Sequence, residues 1–251
     1  MDRLVLTGLI IGVGSLLGTQ LLEGGHLAAL LQGPAAIIVF AGTLGATLLS
    51  SSAESLNAAR VQLRHVARVD QDRRKILPTR YRDLAFLARK DGLVSLDKHM
   101  RTLPTAFMQR ALAHVIDGCD ETQLEEILRS DIESRQRSAI DAARVLEIAG
   151  GYAPTMGILG AVLGLVRAME ALADPDALGQ GIAVAFIATI YGVGLANLIL
   201  LPLAARIRER SEQSAREDEM VFEGTLGLQA GLSPRLIERS LRAHLVAESD
   251  S

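Results

Sequence analysis

Four long stretches without a charged side chain decide what this chain can fold into. They run over Leu4–Leu22, Leu27–Ala53, Ala149–Val166 and Ala177–Ala205. A helix needs about 20 apolar residues to cross the hydrocarbon core of a bilayer. Inside that core every backbone N–H and C=O must be paired within the segment. Charged residues nevertheless make up 22% of the 251 residues, so they are confined to the remaining stretches. Four such helices buried in a soluble protein would find too little amphipathic cover among those residues. The sequence therefore predicts an all-α, polytopic membrane protein with four transmembrane helices and a helical cytoplasmic domain between the second and third.

The first stretch is expected to be part of an uncleaved hairpin rather than a secretory signal. Its amino end carries only Asp2 and Arg3, no small-x-small cleavage site precedes Glu23, and a second apolar stretch follows almost at once. Orientation follows from the cations. Residues 23–33 and 171–182 contain no Lys or Arg, whereas Arg60, Arg64 and Arg68 follow the second stretch and Arg206, Arg208 and Arg210 follow the fourth. Cytoplasmic flanks carry the positive excess. Both termini and the middle segment are thus expected inside, with short acidic links at Glu23 and at Asp174 and Asp176 outside. The resulting plan is a transmembrane hairpin over 1–53, a cytoplasmic helical domain over 54–148, two further spans over 149–205 and a cytoplasmic helical tail over 206–251.

The middle segment reads as helix. Leu56, Leu63, Val66 and Val69 recur at helical intervals, and Leu84, Leu87 and Ala88 line one side of the next run, with Gly92 as its C-cap. Pro78 is expected to end the turn before that run, and Pro104 to open a further helix from its first turn. Asp120 caps a long amphipathic run whose apolar positions, Leu124 through Ile148, lead into the third span. That span is expected to be a continuous extension of a cytoplasmic helix. Ser233 and Pro234 open a short helix near the end.

Conventional catalytic and nucleotide-binding signatures are absent. The glycines of "GLIIGVGSLLG" lie in an apolar run with no preceding strand, so Gly8, Gly12, Gly14 and Gly18 read as close-packing points between membrane helices. The five His are scattered, and the single Cys119 offers neither a disulfide nor a metal cluster. A net charge of -3 gives no general attraction for nucleic acid. A pump or channel needs an ionisable group in its membrane path, yet the third and fourth spans hold none. Arg167 and Glu170, three apart, read as a pair at the outer end. The third and fourth spans instead carry small and hydroxyl residues, including Thr155, Ala161, Ala188 and Thr189, and each has a proline in or near it, Pro154 and Pro202. A proline frees a backbone carbonyl and permits a bend. If ions cross here, the acid that carries them belongs to another chain.

Three segments carry a family likeness: "APTMGILGAVLGLV" at 153–166, "GIAVAFIATIYGVGLANLILLPLAARI" at 181–207 and "LARKDGLVSLD" at 87–97. With the two-plus-two span arrangement, the chain resembles a MotA-type stator subunit of the bacterial flagellar motor, in the wider MotA/TolQ/ExbB proton channel family. The resemblance implies an inner-membrane protein that is not an enzyme, needs no cofactor and uses protons as the coupling ion. It implies a pentamer around two copies of a MotB-type partner, which supplies an essential membrane aspartate and a peptidoglycan anchor. Lipid and the rotor switch protein are its other contacts. Pro154 and Pro202 match the family's two functional prolines. Arg89 and Asp97 match its rotor-facing charges, where Glu is usual at the second position. Sodium-driven relatives tend to carry Thr where this chain has Ala161 and Ala188, so protons are favoured. The alternatives are an ExbB/TolQ-type energising subunit, which usually has three spans and an outside amino terminus, and a purely structural membrane scaffold.

Overall fold

The computed structural model describes residues 3–22, 24–66 and 72–247; expectations that rest on Glu23, Arg68, Val69 or the His65 side chain lie outside them. All regular structure among these residues is helical. The principal helices are α1 (Arg3–Leu22), α2 (Gly33–Ser50), α3 (Ala53–Val66), α4 (Leu77–Asp91), α5 (Ala106–Ile116), α6 (Glu121–Glu170), α7 (Pro175–Gln229) and α8 (Pro234–Ala247). By length and composition α2, α6 and α7 each hold a segment able to cross a membrane. The described chain forms two compact units, one from 1–69 with 138–209 and the other from 70–137 with 210–251.

In the first unit α2 is shorter than the uncharged stretch that encodes it. Leu27–Leu30 form a single 3-10 turn, and the helix starts only at Gly33, with Pro34 in its first turn. Proline suits that place because the first N–H groups of a helix have no partner anyway. The preceding backbone is fastened instead by Tyr191. Its hydroxyl donates to the Leu30 carbonyl and accepts from the Gln32 N–H at 3.3 Å. The Phe40 ring lies 5.7 Å from that of Tyr191.

Helix α6 runs unbroken through 50 residues with Pro154 inside it, as expected for a span that continues a longer helix. Helix α7 widens to a π turn at Ala196–Leu200, immediately before Pro202. Pro202 has no N–H for the carbonyl four residues back and its ring crowds that carbonyl. The wide turn falls where the clash would otherwise be. The glycines of α1 only partly meet the packing expectation. A Cβ on Gly12 would come within 3.0 Å of the Leu198 side chain, but Gly8, Gly14 and Gly18 would meet nothing within 4 Å among the described residues. At about 100° per residue, Gly14 and Gly18 point to a different side from Gly12.

The second unit is a helical core around Leu77, Tyr81, Phe107, Leu112, Leu124, Leu128, Val221 and Leu241. Two prolines act otherwise than their positions suggest. Pro78 opens α4 rather than ending a turn before it, since it lies in the first helical turn. Pro104 lies outside α5, whose N-cap is Thr105; the Thr105 hydroxyl accepts from the Met108 N–H at 3.0 Å. Gly92 does end α4, at φ 84°, with its N–H on the Ala88 carbonyl. The ten residues Leu93–Thr102 that follow are 3-10 helix. Asp120 caps α6 through the Gln123 N–H at 2.8 Å, and Ser233 accepts from the Leu236 N–H at 3.3 Å at the start of α8.

Tyr81 is the largest fully buried side chain of this core. Its ring lies against Gly224, where a Cβ would fall 2.7 Å from the ring edge. Its hydroxyl donates to the Val221 carbonyl at 2.9 Å and lies 2.7 Å from Thr225 Oγ1. Burial raises the phenol's pKa, so it stays a neutral donor. Tyr81→Phe should lower the stability of this unit by about 1 kcal/mol, read as lost hydrogen-exchange protection in α4. The cost stays small because Thr225 keeps its own bond to the Val221 carbonyl at 2.7 Å.

Candidate functional site: a seam of small residues and two charged surfaces

Within the first unit, α6 and α7 approach each other along a seam of glycine and alanine. A Cβ on Gly157 would lie 2.9 Å from the Ala188 carbonyl oxygen and 3.3 Å from the Gly192 Cα. On Gly164 it would lie 2.7 Å from the Ala185 nitrogen, and on Gly181 2.8 Å from the Ala168 nitrogen. The tightest place is Gly192, where it would fall 2.5 Å from the Ala153 carbonyl oxygen. In lipid no hydrophobic gain drives apolar helices together, so close backbone approach through small residues has to supply the attraction. The seam reaches the prolines. Gly150, whose carbonyl Pro154 leaves unpaired in the helical ladder, packs on Leu201, the residue before Pro202.

The residues read from the sequence divide between the two sides of this pair. Ala188 is fully buried in the seam, against Gly160, and there it sets how near α6 can come. Ala161 and Pro154 are half-buried and Pro202 is exposed. Thr155 and Thr189 are both exposed. Their hydroxyls donate to carbonyls of their own helices, Thr155 to Tyr152 at 2.8 Å and Thr189 to Ala185 at 3.3 Å. Each keeps its acceptor lone pairs for a neighbour. On α6 the exposed face around Thr155 continues through Leu159, Val162 and Val166; on α7, the one around Thr189 continues through Phe186 and Val193. Arg167 and Glu170 lie exposed in the last turn of α6 and form no ion pair with each other, so the outer-end pair is not made here. Three polar residues escaped the sequence reading. Tyr152 shares a 2.8 Å hydrogen bond with Ser50, Tyr191 ties down the start of α2, and Asn197 is exposed with Nδ2 on the Val193 carbonyl at 3.0 Å. Asn197 had a signal, being the single Asn between Ala177 and Ala205.

In the second unit Arg89 lies exposed in the last turn of α4, and Asp97 is exposed in the 3-10 run. One arm of the Arg89 guanidinium donates to the Gly231 carbonyl at 3.0 Å. The anchor steadies a long side chain while leaving other N–H groups outward. A separate charged cluster has one buried member. Asp218 is 5% exposed and pairs with Arg135 at 2.9 Å. Arg135 also meets Asp131 at 3.2 Å and lies over the Phe107 ring at 4.2 Å. Burial pushes the Asp218 carboxyl up to about 6, opposed by Arg135 and reinforced by Asp131.

Helices with membrane-crossing segments, a glycine seam between two of them and a large further helical part define an all-α, multi-pass membrane protein. Residues 99–220 match the MotA/TolQ/ExbB proton channel family, and residues 6–88 match the motility protein A N-terminal family. Motility protein A of Helicobacter pylori is 32% identical over 241 residues, covering 96% of this chain and 94% of that one. The structure of C. jejuni MotAB matches with a TM-score of 0.87 at 25% identity, over 97% of this chain and 96% of that chain. The flagellar MotAB stator complex of Bacillus subtilis matches with a TM-score of 0.86 at 28% identity, over 98% and 96%. The chain belongs to the MotA/TolQ/ExbB proton channel family. It is a non-catalytic, multi-pass protein of the inner membrane, and the ion its family conducts is the proton.

Proposed function

We propose that this chain is a subunit of a flagellar stator and couples proton flow to rotation of the motor. The observation that carries this reading is the missing carboxylate. Residues 149–166 and 177–205 contain no Asp or Glu, yet the chain belongs to a proton channel family. A proton path through lipid needs a titrating group. The group therefore comes from a MotB-type partner in an oligomeric stator, in keeping with the matched MotAB complexes.

The finer reading has four spans, with α1 as the first: 20 residues with Arg3 as the one charged side chain. Both termini lie in the cytoplasm. Residues 1–53 form the outer hairpin, 54–148 and 206–251 the cytoplasmic parts, and 149–205 the spans that line the path. Five copies surround two partner chains, each partner bringing a membrane aspartate. The exposed hydroxyls of Thr155 and Thr189 face that path, with Ala161 beside them, and Ala188 holds the two lining helices together. Pro154 and Pro202 let these helices flex as the aspartate changes charge. Arg89 and Asp97 engage charges on the rotor switch protein. Such exposed charges are individually weak and salt-screened, which suits repeated engagement and release.

The test is ion flux in vesicles under an imposed pH gradient. Co-reconstituted with its partner, the chain should carry a saturable proton current that is lost when the partner's membrane aspartate is changed to Asn. Swimming speed should not change with sodium concentration, because the Ala161 and Ala188 positions offer no hydroxyl ligands for a dehydrated cation. Robust current from this chain alone, or strict dependence on sodium, would overturn the reading.

A further inference from the structure

The first unit contains a recess beside the Gly150 end of the glycine seam, where Ala149 and Leu200 line it. It is a groove of about 600 Å³ lying between α2, α3, α6 and α7, a size within the usual range of about 300–1,000 Å³ for ligand sites. Its walls are apolar: Phe40 and Leu44 from α2, Leu63 from α3, Leu146 from α6, Leu195 and Leu200 from α7. At the α3 end stand Arg60 and Arg64, one helical turn apart. Both are exposed, and among the described residues neither has an acidic partner.

A second observation points to a ligand independently of the arginines. Thr43 lines the groove, is 4% exposed, and its hydroxyl has no hydrogen-bond partner. Its neighbour one turn on, Thr47, instead donates to the Thr43 carbonyl at 2.7 Å. A buried hydroxyl left unpaired in an apolar wall is disfavoured, and a turn about the Thr43 Cα–Cβ bond would offer it to an ester carbonyl lying in the groove.

We infer that this groove binds an anionic phospholipid of the cytoplasmic leaflet, its phosphate on Arg60 and Arg64, an ester carbonyl near Thr43 and an acyl chain along Phe40 and Leu195. The order of groups follows the chain. Helix α2 is apolar to its end at Ser50 and α3 begins at Ala53, so the arginines follow the membrane segment as a cation pair at its edge. Cations at that edge attract anionic headgroups, each worth about a fivefold gain in affinity. Free phosphate shares the headgroup chemistry but leaves the apolar walls empty. The inference rests on α2 and α7 being membrane-spanning helices and not on the stator role.

The chain contains no Trp, which supplies a direct readout. Leu63→Trp puts an indole in the groove wall of the intact complex with its partner, and the same complex without the substitution gives the background. Dibrominated phosphatidylglycerol should quench that fluorescence at about 25-fold lower mole fraction than dibrominated phosphatidylcholine, two cations contributing about fivefold each. Adding Arg60→Gln and Arg64→Gln should bring the ratio close to one, and inorganic phosphate should not displace the lipid. Equal quenching by the two lipids, or displacement by phosphate, would overturn the inference. So would a silent indole, which would mean that a second copy of this chain covers the groove. Proton flux measured on the same vesicles separates the two proposals, since a current with no lipid preference sinks only this one.

Discussion

Changing Gly192 to alanine should abolish swimming, while the same change at Gly194, two residues along the same helix, should leave it intact. The contrast isolates the seam from general effects on α7. A Cβ at Gly192 would fall 2.5 Å from the Ala153 carbonyl oxygen and 3.0 Å from the Gly157 Cα, whereas at Gly194 it would meet nothing within 4 Å. The obstacles at Gly192 are backbone atoms, so no rotamer change relieves them and the helices must part. Overpacking of this kind costs about 1–3 kcal/mol where side chains can yield, and backbone contacts leave less room to yield. Both glycines lie within the apolar part of α7, so intrinsic helix propensity favours alanine equally at the two sites. The measurement is swarm diameter in cells whose own copy is deleted, with the amount of membrane-inserted protein determined alongside. Normal swarming by Gly192→Ala would show that α6 and α7 do not need this contact, and the seam would lose its place in the mechanism.

How much of this was legible beforehand depends on the range of the interaction. Caps are local, and they could be read: Asp120 before α6, Gly92 after α4 and Ser233 before α8 each act within a turn or two. Of the four uncharged stretches, three fall in helices long and apolar enough to cross a membrane. Small residues at helical spacing announced a close approach, but the partner residue across the seam did not follow from spacing. Gly8, Gly12, Gly14 and Gly18 carried the same signal in α1, and among the described residues only Gly12 meets another helix of this chain. Proline misled where its role depends on neighbours. Pro104 drew attention away from Thr105, which does the capping, because proline marks a helix start without saying on which side of it the cap falls. The π turn before Pro202 and the 3-10 run after Gly92 have no distinct local pattern. Arg89 could be named from its segment, but its anchor on Gly231 lies 142 positions away. Asp218 was least legible. It sits in "REDEM" among charges that look solvated, and only the packing of its unit removes it from water.

Because of that burial, Asp218→Asn should strengthen the second unit at neutral pH. The carboxyl titrates near 6 in the folded chain against an ordinary value of 3.8. Between those values the folded state binds a proton that the unfolded state has released, so stability falls as pH rises through the window. Below about 4 both states are protonated and the penalty is absent; above about 6 it is fully present, at about 3 kcal/mol. Asparagine keeps the shape and removes the charge. Arg135 is not stranded by the change, because it retains Asp131 at 3.2 Å and the Phe107 ring at 4.2 Å. Hydrogen-exchange protection of the α5 amides, corrected for intrinsic rates, reads the effect in the intact protein. In the wild type, protection should rise by about tenfold or more on going from pH 7 to pH 5, one pKa unit being about 1.4 kcal/mol. In Asp218→Asn it should start higher at pH 7 and change little. A variant that keeps the wild-type pH dependence would mean that the proton binds elsewhere in the core, and a less stable variant would mean that the Asp218–Arg135 pair outweighs the cost of burying it.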